Sequence, residues 1–90
     1  MARVCFTPHL RRYFDLPDAW EVDADDVATV VRRLDEQWPG LGFYITDERG
    51  HLRKHVAIWV DGQQVRDRER LQDAVAAGSD VHILQALSGG

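Results

Sequence analysis

One amphipathic helix limits the folds available to this 90-residue chain. Between residues 27 and 38 the apolar positions recur at intervals of three and four, which is typical of a helix with one buried face. The stripe consists of Val27, Val30, Val31, Leu34 and Trp38. Asp25 and Asp26 offer an N-cap, and Pro39-Gly40 predicts the end of the helix. Since the remaining segments favour short strands, we expect this helix to cover the apolar face of a sheet.

Short strands are predicted before this helix. Residues 3–7 alternate polar and apolar side chains, which predicts a strand with its apolar residues facing inward. Residues 20–23 predict a second strand, antiparallel to the first. Pro8 is expected to end the first strand, and residues 9–17 to form a loop in which Tyr13-Phe14 tucks partly under the sheet.

Further short elements are predicted after the helix. Residues 41–45 are expected to make one more short turn, and residues 55–60 a third strand. Asp61-Gly62 is a strong hairpin signal, so residues 63–65 should return as a short fourth strand. Within residues 71–75, two apolar side chains spaced four apart predict a brief helical turn, which precedes a final strand beginning at Val81.

The order of these elements predicts the fold class. Strand, strand, helix and three further strands give an α+β protein of the ubiquitin-like β-grasp type, a mixed sheet of about five strands curled over one main helix. We expect residues 1–90 to form a single domain, with residues 87–90 as a mobile tail.

Alternation along two strands predicts an exposed apolar patch. If the even-numbered residues of the third strand face the helix, Trp59 faces outward; by the same reasoning His82 and Leu84 face outward from the last strand. These two strands are neighbours in a β-grasp sheet, so the three side chains, together with Leu87, are expected to form one patch. An exposed tryptophan beside leucines is typical of a partner-binding surface.

The last residues of the chain are Ser88, Gly89 and Gly90. Glycine has no side chain, so the chemistry available at this end is that of backbone and of a terminal carboxylate on Gly90. A slender tail that follows a strand directly is suited to enter the active site of another protein.

The stretch from Gly78 to Gly90 resembles the C-terminus of the MoaD/ThiS family of ubiquitin-like sulfur carriers, which end in a turn, a short apolar strand and Gly-Gly. The third strand with its Asp61-Gly62 turn is similar as well, and the order of elements extends the resemblance over nearly the whole chain. Two features depart from the family pattern: no proline stands near Gln85 or Ala86, and Ser88 replaces a small apolar residue.

The resemblance implies a function and a set of partners. A MoeB/ThiF-like adenylyltransferase would use ATP and a metal ion to adenylate Gly90. Gly89 would lie beside Gly90 in the active site, and the partner would bind Ser88 and Leu87. Sulfur from a persulfide sulfurtransferase would then give a thiocarboxylate, which a biosynthetic enzyme accepts for molybdopterin, thiazole, cysteine or a thio-metabolite. On this basis the chain is a carrier and co-substrate, not an enzyme, and binds no cofactor of its own.

Composition excludes several other classes. A net charge of −4 disfavours nucleic acid as a partner, and no apolar run is long enough to span a membrane. The single Cys5, whose basic neighbour in sequence is Arg3, excludes an internal disulfide and fits a reducing cytoplasm. His51 and His55 cross a turn-to-strand junction, so we expect no metal site there.

Two alternative functions remain open at this stage. A ubiquitin-like modifier would be joined through Gly90 to lysines of other proteins by way of the same adenylate. Since Lys54 is the one lysine in the sequence, chains of this protein on itself are not expected. A non-catalytic β-grasp interaction domain, with an incidental Gly-Gly, is the third reading.

Overall fold

The computed structural model describes residues 1–85, which form five strands and three helices. Their bounds are β1 (Ala2–Phe6), α1 (Pro8–Phe14), β2 (Ala19–Val22), α2 (Val27–Gln37), α3 (Leu41–Ile45), β3 (Val56–Val60), β4 (Gln63–Gln64) and β5 (Asp80–Gln85). The five strands and the main helix confirm the predicted architecture, and the short turn expected at residues 41–45 is α3.

The strands form one mixed sheet in the order β2-β1-β5-β3-β4. β1 pairs with β2 in antiparallel and with β5 in parallel orientation, while β3 is antiparallel to both β5 and β4. β5 therefore occupies the centre of the sheet, with hydrogen-bonded neighbours on both sides. This arrangement is the predicted ubiquitin-like β-grasp.

The stripe of α2 packs against the inner face of the sheet. Val27, Val30 and Leu34 are fully buried, as are Val4 of β1, Ile58 of β3, and Val81 and Ile83 of β5. At the end of the helix, the Trp38 ring meets the ring of Trp20 edge to face, with 5.2 Å between centroids, and it meets Phe6 similarly at 6.2 Å. Each fully buried aliphatic side chain contributes about 1.5 to 3 kcal/mol through removal from water.

The helical turn predicted at residues 71–75 is wrong, and the hydrogen bonds at the N-terminus of α2 show the reason. The Asp26 carboxylate caps the helix by accepting from the Thr29 N–H at 2.8 Å, as expected. The backbone N–H groups of Val27 and Ala28 donate to the backbone carbonyls of Asp73 and Leu71, respectively. Residues 71–75 therefore lie along the helix end without forming a helical turn, and their carbonyls satisfy amides that a helix leaves without partners.

A helix replaces the loop predicted over residues 9–17. Thr7 is the N-cap of α1 and Pro8 occupies its first turn, where a proline is favoured. Leu10 is buried, but the seven residues of the helix are too few to show a repeated apolar period in the sequence. The prediction for its aromatic pair was half right: Phe14 packs against the core, but Tyr13 is 67% exposed.

The β3–β4 turn is tied to the start of β5. The Asp61 carboxylate accepts from the hydroxyl of buried Ser79 at 2.8 Å and from the Asp80 N–H at 2.9 Å. The Asp61 N–H in turn donates to the Asp80 carbonyl at 2.8 Å. These bonds fix the position from which the central strand departs.

Candidate functional site

The outer face of the sheet carries the predicted apolar patch. Trp59 lies opposite His82 in the β3–β5 ladder, and Ala57 lies opposite Leu84, so that all four side chains share one face. Trp59 is 37% exposed and Leu84 39%, and His82 is exposed. The structure thus brings together three of the predicted partner-binding residues. We call Ala57, Trp59, His82 and Leu84 the outer patch.

The remaining predicted site residues lie outside the described part of the chain. Leu87, Ser88, Gly89 and Gly90 all follow residue 85, and their roles stay predictions. The structure describes the base from which they start. Gln85 pairs with Val56 in the β3–β5 ladder, and its side-chain oxygen accepts a hydrogen bond of 2.5 Å from the Tyr44 hydroxyl.

Aromatic side chains from α1 and α3 surround this base. The Tyr13 ring lies 5.3 Å from that of Tyr44, and the Phe14 ring lies 5.2 Å from it. Phe43, on α3, is 59% exposed. The sequence does not reveal this cluster, because the pattern of residues 9–17 predicts a loop, although Thr7-Pro8 is a recognisable helix start.

Basic side chains from residues 53–55 stand beside the aromatic rings. The Arg53 guanidinium lies 4.7 Å from the centre of the Phe43 ring, and its Nε–H donates to the Phe43 carbonyl at 2.8 Å. Lys54 and His55 are exposed. We call this mixed aromatic and basic surface the collar; it consists of Tyr13, Phe43, Tyr44, Arg53, Lys54 and His55.

Two surface depressions flank Gln85. One, of about 310 Å³, is lined by Phe43, Tyr44, Arg53, His55, Val56 and Gln85. The other, of about 340 Å³, lies between the collar and the outer patch and includes Lys54, His55, Trp59 and Leu84. The collar and the outer patch are therefore continuous around the end of β5.

Cys5 has a basic neighbour that the sequence did not reveal. It lies in register with His82 across the parallel β1–β5 pair, and with Ala19 across the β1–β2 pair. The expectation that Arg3 is its basic neighbour was thus incomplete, because strands distant in sequence meet in the sheet. Cys5 is half-buried on the outer face, opposite to the buried Val4 and Phe6.

No three His, Cys, Asp or Glu side chains within residues 1–85 are grouped so that they could hold a metal ion. The carboxylates with a shifted pKa lie in turns and helix caps; hydrogen bonds from the Asp80 N–H and the Ser79 hydroxyl, for example, lower the pKa of Asp61. In the same part of the chain, no helix has the length and apolar character to cross a membrane.

A sequence model of the ThiS family matches residues 13–90, a range that includes the last two glycines. Together with the β-grasp sheet, this defines the class of small ubiquitin-like carriers. The chain belongs to the ThiS family of sulfur carriers. Small carriers of this kind are generally not catalytic. No individually curated protein matches the sequence significantly.

Solved structures share this fold. A chain of the BexX/CysO complex from Amycolatopsis orientalis superposes with a TM-score of 0.86 at 21% identity, over 100% of both chains. CysO from Mycobacterium tuberculosis gives a TM-score of 0.84 at 26% identity, over 97% of this chain and 100% of its own. Small archaeal modifier protein 1 from Methanosarcina acetivorans gives 0.81 at 21% identity, covering 99% of this chain and 95% of its own.

Proposed function

We propose that this protein carries sulfur as a thiocarboxylate on Gly90, after adenylation of that residue by a MoeB/ThiF-like enzyme. The observation that carries the proposal is the family match, which extends through Gly90 and so includes the tail. The geometry agrees with it, because β5 is held on both edges and delivers the chain to the rim of an exposed apolar surface.

The chemistry follows from the weakness of a carboxylate as an acyl donor. One oxygen of the Gly90 carboxylate attacks the α-phosphorus of ATP, pyrophosphate leaves, and the product is an acyl-adenylate. The terminal sulfur of a persulfide then attacks the carbonyl carbon and AMP leaves. A thiol cleaves the resulting S–S bond, so that the thiocarboxylate remains on Gly90 and a disulfide forms on the donor.

The role of the carrier in this reaction is to place its C-terminus in the active site of the partner. Gly89 and Gly90 have no Cβ, so backbone alone enters the partner's site, with Ser88 and Leu87 contacting its entrance. The outer patch supplies the docking surface, with Trp59 as its aromatic anchor. A chain of similar fold occurs in the BexX/CysO complex, which supports binding to a partner protein here. A biosynthetic enzyme would accept the sulfur.

The test is the mass of the C-terminal peptide. The purified protein is incubated with a MoeB/ThiF-like enzyme, ATP, magnesium and a persulfide source, and we expect one oxygen of Gly90 to be replaced by sulfur. A matched variant carries one residue appended after Gly90 and should remain unmodified. Equal sulfur incorporation in both proteins would contradict the proposal.

A second candidate is a protein modifier joined to lysines through Gly90. One similar structure is that of a small archaeal modifier protein, which supports this reading at the level of the fold. The same adenylate would serve it, with a lysine amine as the nucleophile. Protein from the native host distinguishes the two: Gly-Gly remnants on lysines of other proteins would indicate a modifier.

A further inference from the structure

The surface around the end of β5 differs in charge from the rest of the chain. Neither depression beside Gln85 is lined by an Asp or Glu among the described residues, whereas Arg53, Lys54, His55 and Arg68 all contribute to them. The whole chain has a net charge of −4, with 15 carboxylates against 11 cations. Positive charge is therefore concentrated around Gln85, the last residue that the structure describes.

This charge is held in place by hydrogen bonds. Arg68 donates through Nη2 to the carbonyls of Arg53 at 2.8 Å and Val56 at 3.2 Å, which pins the backbone of residues 53–56. Arg53 donates through Nε to the carbonyls of Phe43 and Thr46. The hydrogen bonds of Arg68 and Arg53 reduce the conformational entropy that is lost when a partner binds, because the segment is already fixed.

The collar also continues the surface that the proposed function uses. The depression of about 340 Å³ is shared by Lys54 and His55 on one side and by Trp59 and Leu84 of the outer patch on the other. A partner seated on the outer patch with the tail in its active site would therefore lie against the collar. Fixed positive charge at the rim of an apolar interface selects a surface of opposite charge.

We propose that the collar docks on an acidic surface of the adenylyltransferase, at the entrance of the site that takes the tail. This inference rests on the proposed function and adds the charge of the partner surface. The apolar outer patch supplies buried area, while Lys54 and Arg53 orient the carrier and speed its association. The exposed rings of Tyr13 and Phe43 border the same contact.

Steady-state kinetics test the proposal. In ATP–pyrophosphate exchange at low ionic strength, Lys54→Glu should raise the KM for the carrier about fivefold with kcat unchanged. Added salt should raise the KM of the wild type and have little effect on that of the variant. Lys54→Arg keeps the charge and should behave as wild type. Arg33→Glu makes the same change of net charge on the exposed face of α2 and should leave KM unaltered.

Chemical cross-linking gives an independent readout. Lys54 is the one lysine of the chain, so a carbodiimide should link its amine to an Asp or Glu of the enzyme, and Lys54→Arg should lose that link. An unchanged carrier KM in Lys54→Glu would overturn the proposal, and so would a rise confined to the KM for ATP, which would mean that the collar binds nucleotide phosphate. If wild-type carrier supported no exchange at all, the proposed function would fail first, and the collar proposal with it.

Discussion

Single residues in this sheet take their roles from the face on which they lie. In β3 and β5 the alternation separates Ile58 and Ile83, which are buried, from Trp59 and Leu84, which are exposed. The sequence predicted this division correctly because side chains alternate between the two faces of a strand. A shift of one position would turn every side chain to the opposite face, so the buried residues define the register. It could not predict the Tyr44–Gln85 hydrogen bond, which joins residues 41 positions apart.

Replacement of the terminal glycines tests the tail at the residue scale. Gly89→Ala or Gly90→Ala should leave thermal stability unchanged and strongly reduce ATP–pyrophosphate exchange. The reason is overpacking: a methyl group in a channel shaped for bare backbone costs on the order of 1 to 3 kcal/mol. Unaltered exchange in both variants would exclude the tail from the reaction.

Trp59→Ala should weaken partner binding more than it weakens the fold. Truncation of an anchoring aromatic costs about 2 kcal/mol or more in binding. The loss of folding stability should be smaller, since Trp59 keeps over a third of its surface in water. Melting temperature and partner affinity are measured on the same preparation. A large fall in melting temperature with normal affinity would assign Trp59 to the fold alone.

Cys5→Ser should accept and donate sulfur as the wild type does. Although His82 lies beside Cys5 in the sheet, the proposed reaction takes place on the Gly90 carbonyl and requires no thiol of the carrier. Sulfur transfer is read from the mass of the C-terminal peptide. Loss of transfer in Cys5→Ser, with a sulfur adduct on the Cys5 peptide of the wild type, would place the sulfur on the cysteine.

At the scale of elements, the positions of the helices depend on hydrogen bonds between their terminal amides and oxygen atoms of other segments. The Asp35 carboxylate on α2 accepts hydrogen bonds of 3.0 Å from the amides of Gly40 and Gly42, and so fixes the start of α3. α2 was predicted well because its five apolar residues recur with helical spacing. α1 and residues 71–75 were not, since a seven-residue helix is too short for a repeated apolar period and the carbonyl partners of α2 are a tertiary feature.

Gly42→Ala should destabilise the contact between α2 and α3. A Cβ at this position would lie 2.8 Å from the Cβ of Asp35, so one of the helices has to shift. We expect a loss of about 1 to 3 kcal/mol in the free energy of unfolding, measured by urea denaturation. Phe43→Ala, on the exposed side of the same helix, is the matched control and should cost much less. Equal losses would contradict the close approach at Gly42.

At the scale of the whole molecule, stability depends on ionised carboxylates in turns and caps. Hydrogen bonds from the side chain and backbone of Thr29 lower the pKa of Asp26, and the Asp80 N–H and Ser79 hydroxyl lower that of Asp61. Hydrogen bonds from backbone amides, that of Arg70 foremost, lower the pKa of Asp67. A lowered pKa in the folded state means that the unfolded chain binds protons first as pH falls.

The protein should therefore lose stability in acid. The contribution of these carboxylates is complete above their ordinary pKa of 3.8 and is lost as pH falls through the lower folded values. Melting temperature, followed by circular dichroism, should be constant near neutrality and decline below that value. Asp61→Asn should be less stable at neutral pH and show a smaller decline in acid. A melting temperature independent of pH down to the acid limit would contradict this assignment.

The central position of β5 also has a mechanical consequence. In the proposed reaction, a partner enzyme would hold the residues that follow Gln85. Tension along the tail is transmitted along the axis of β5, across which the hydrogen bonds to β1 and β3 run. These bonds would share the load instead of opening one after another, so β5 would stay in the sheet while the proposed partner pulls on its end.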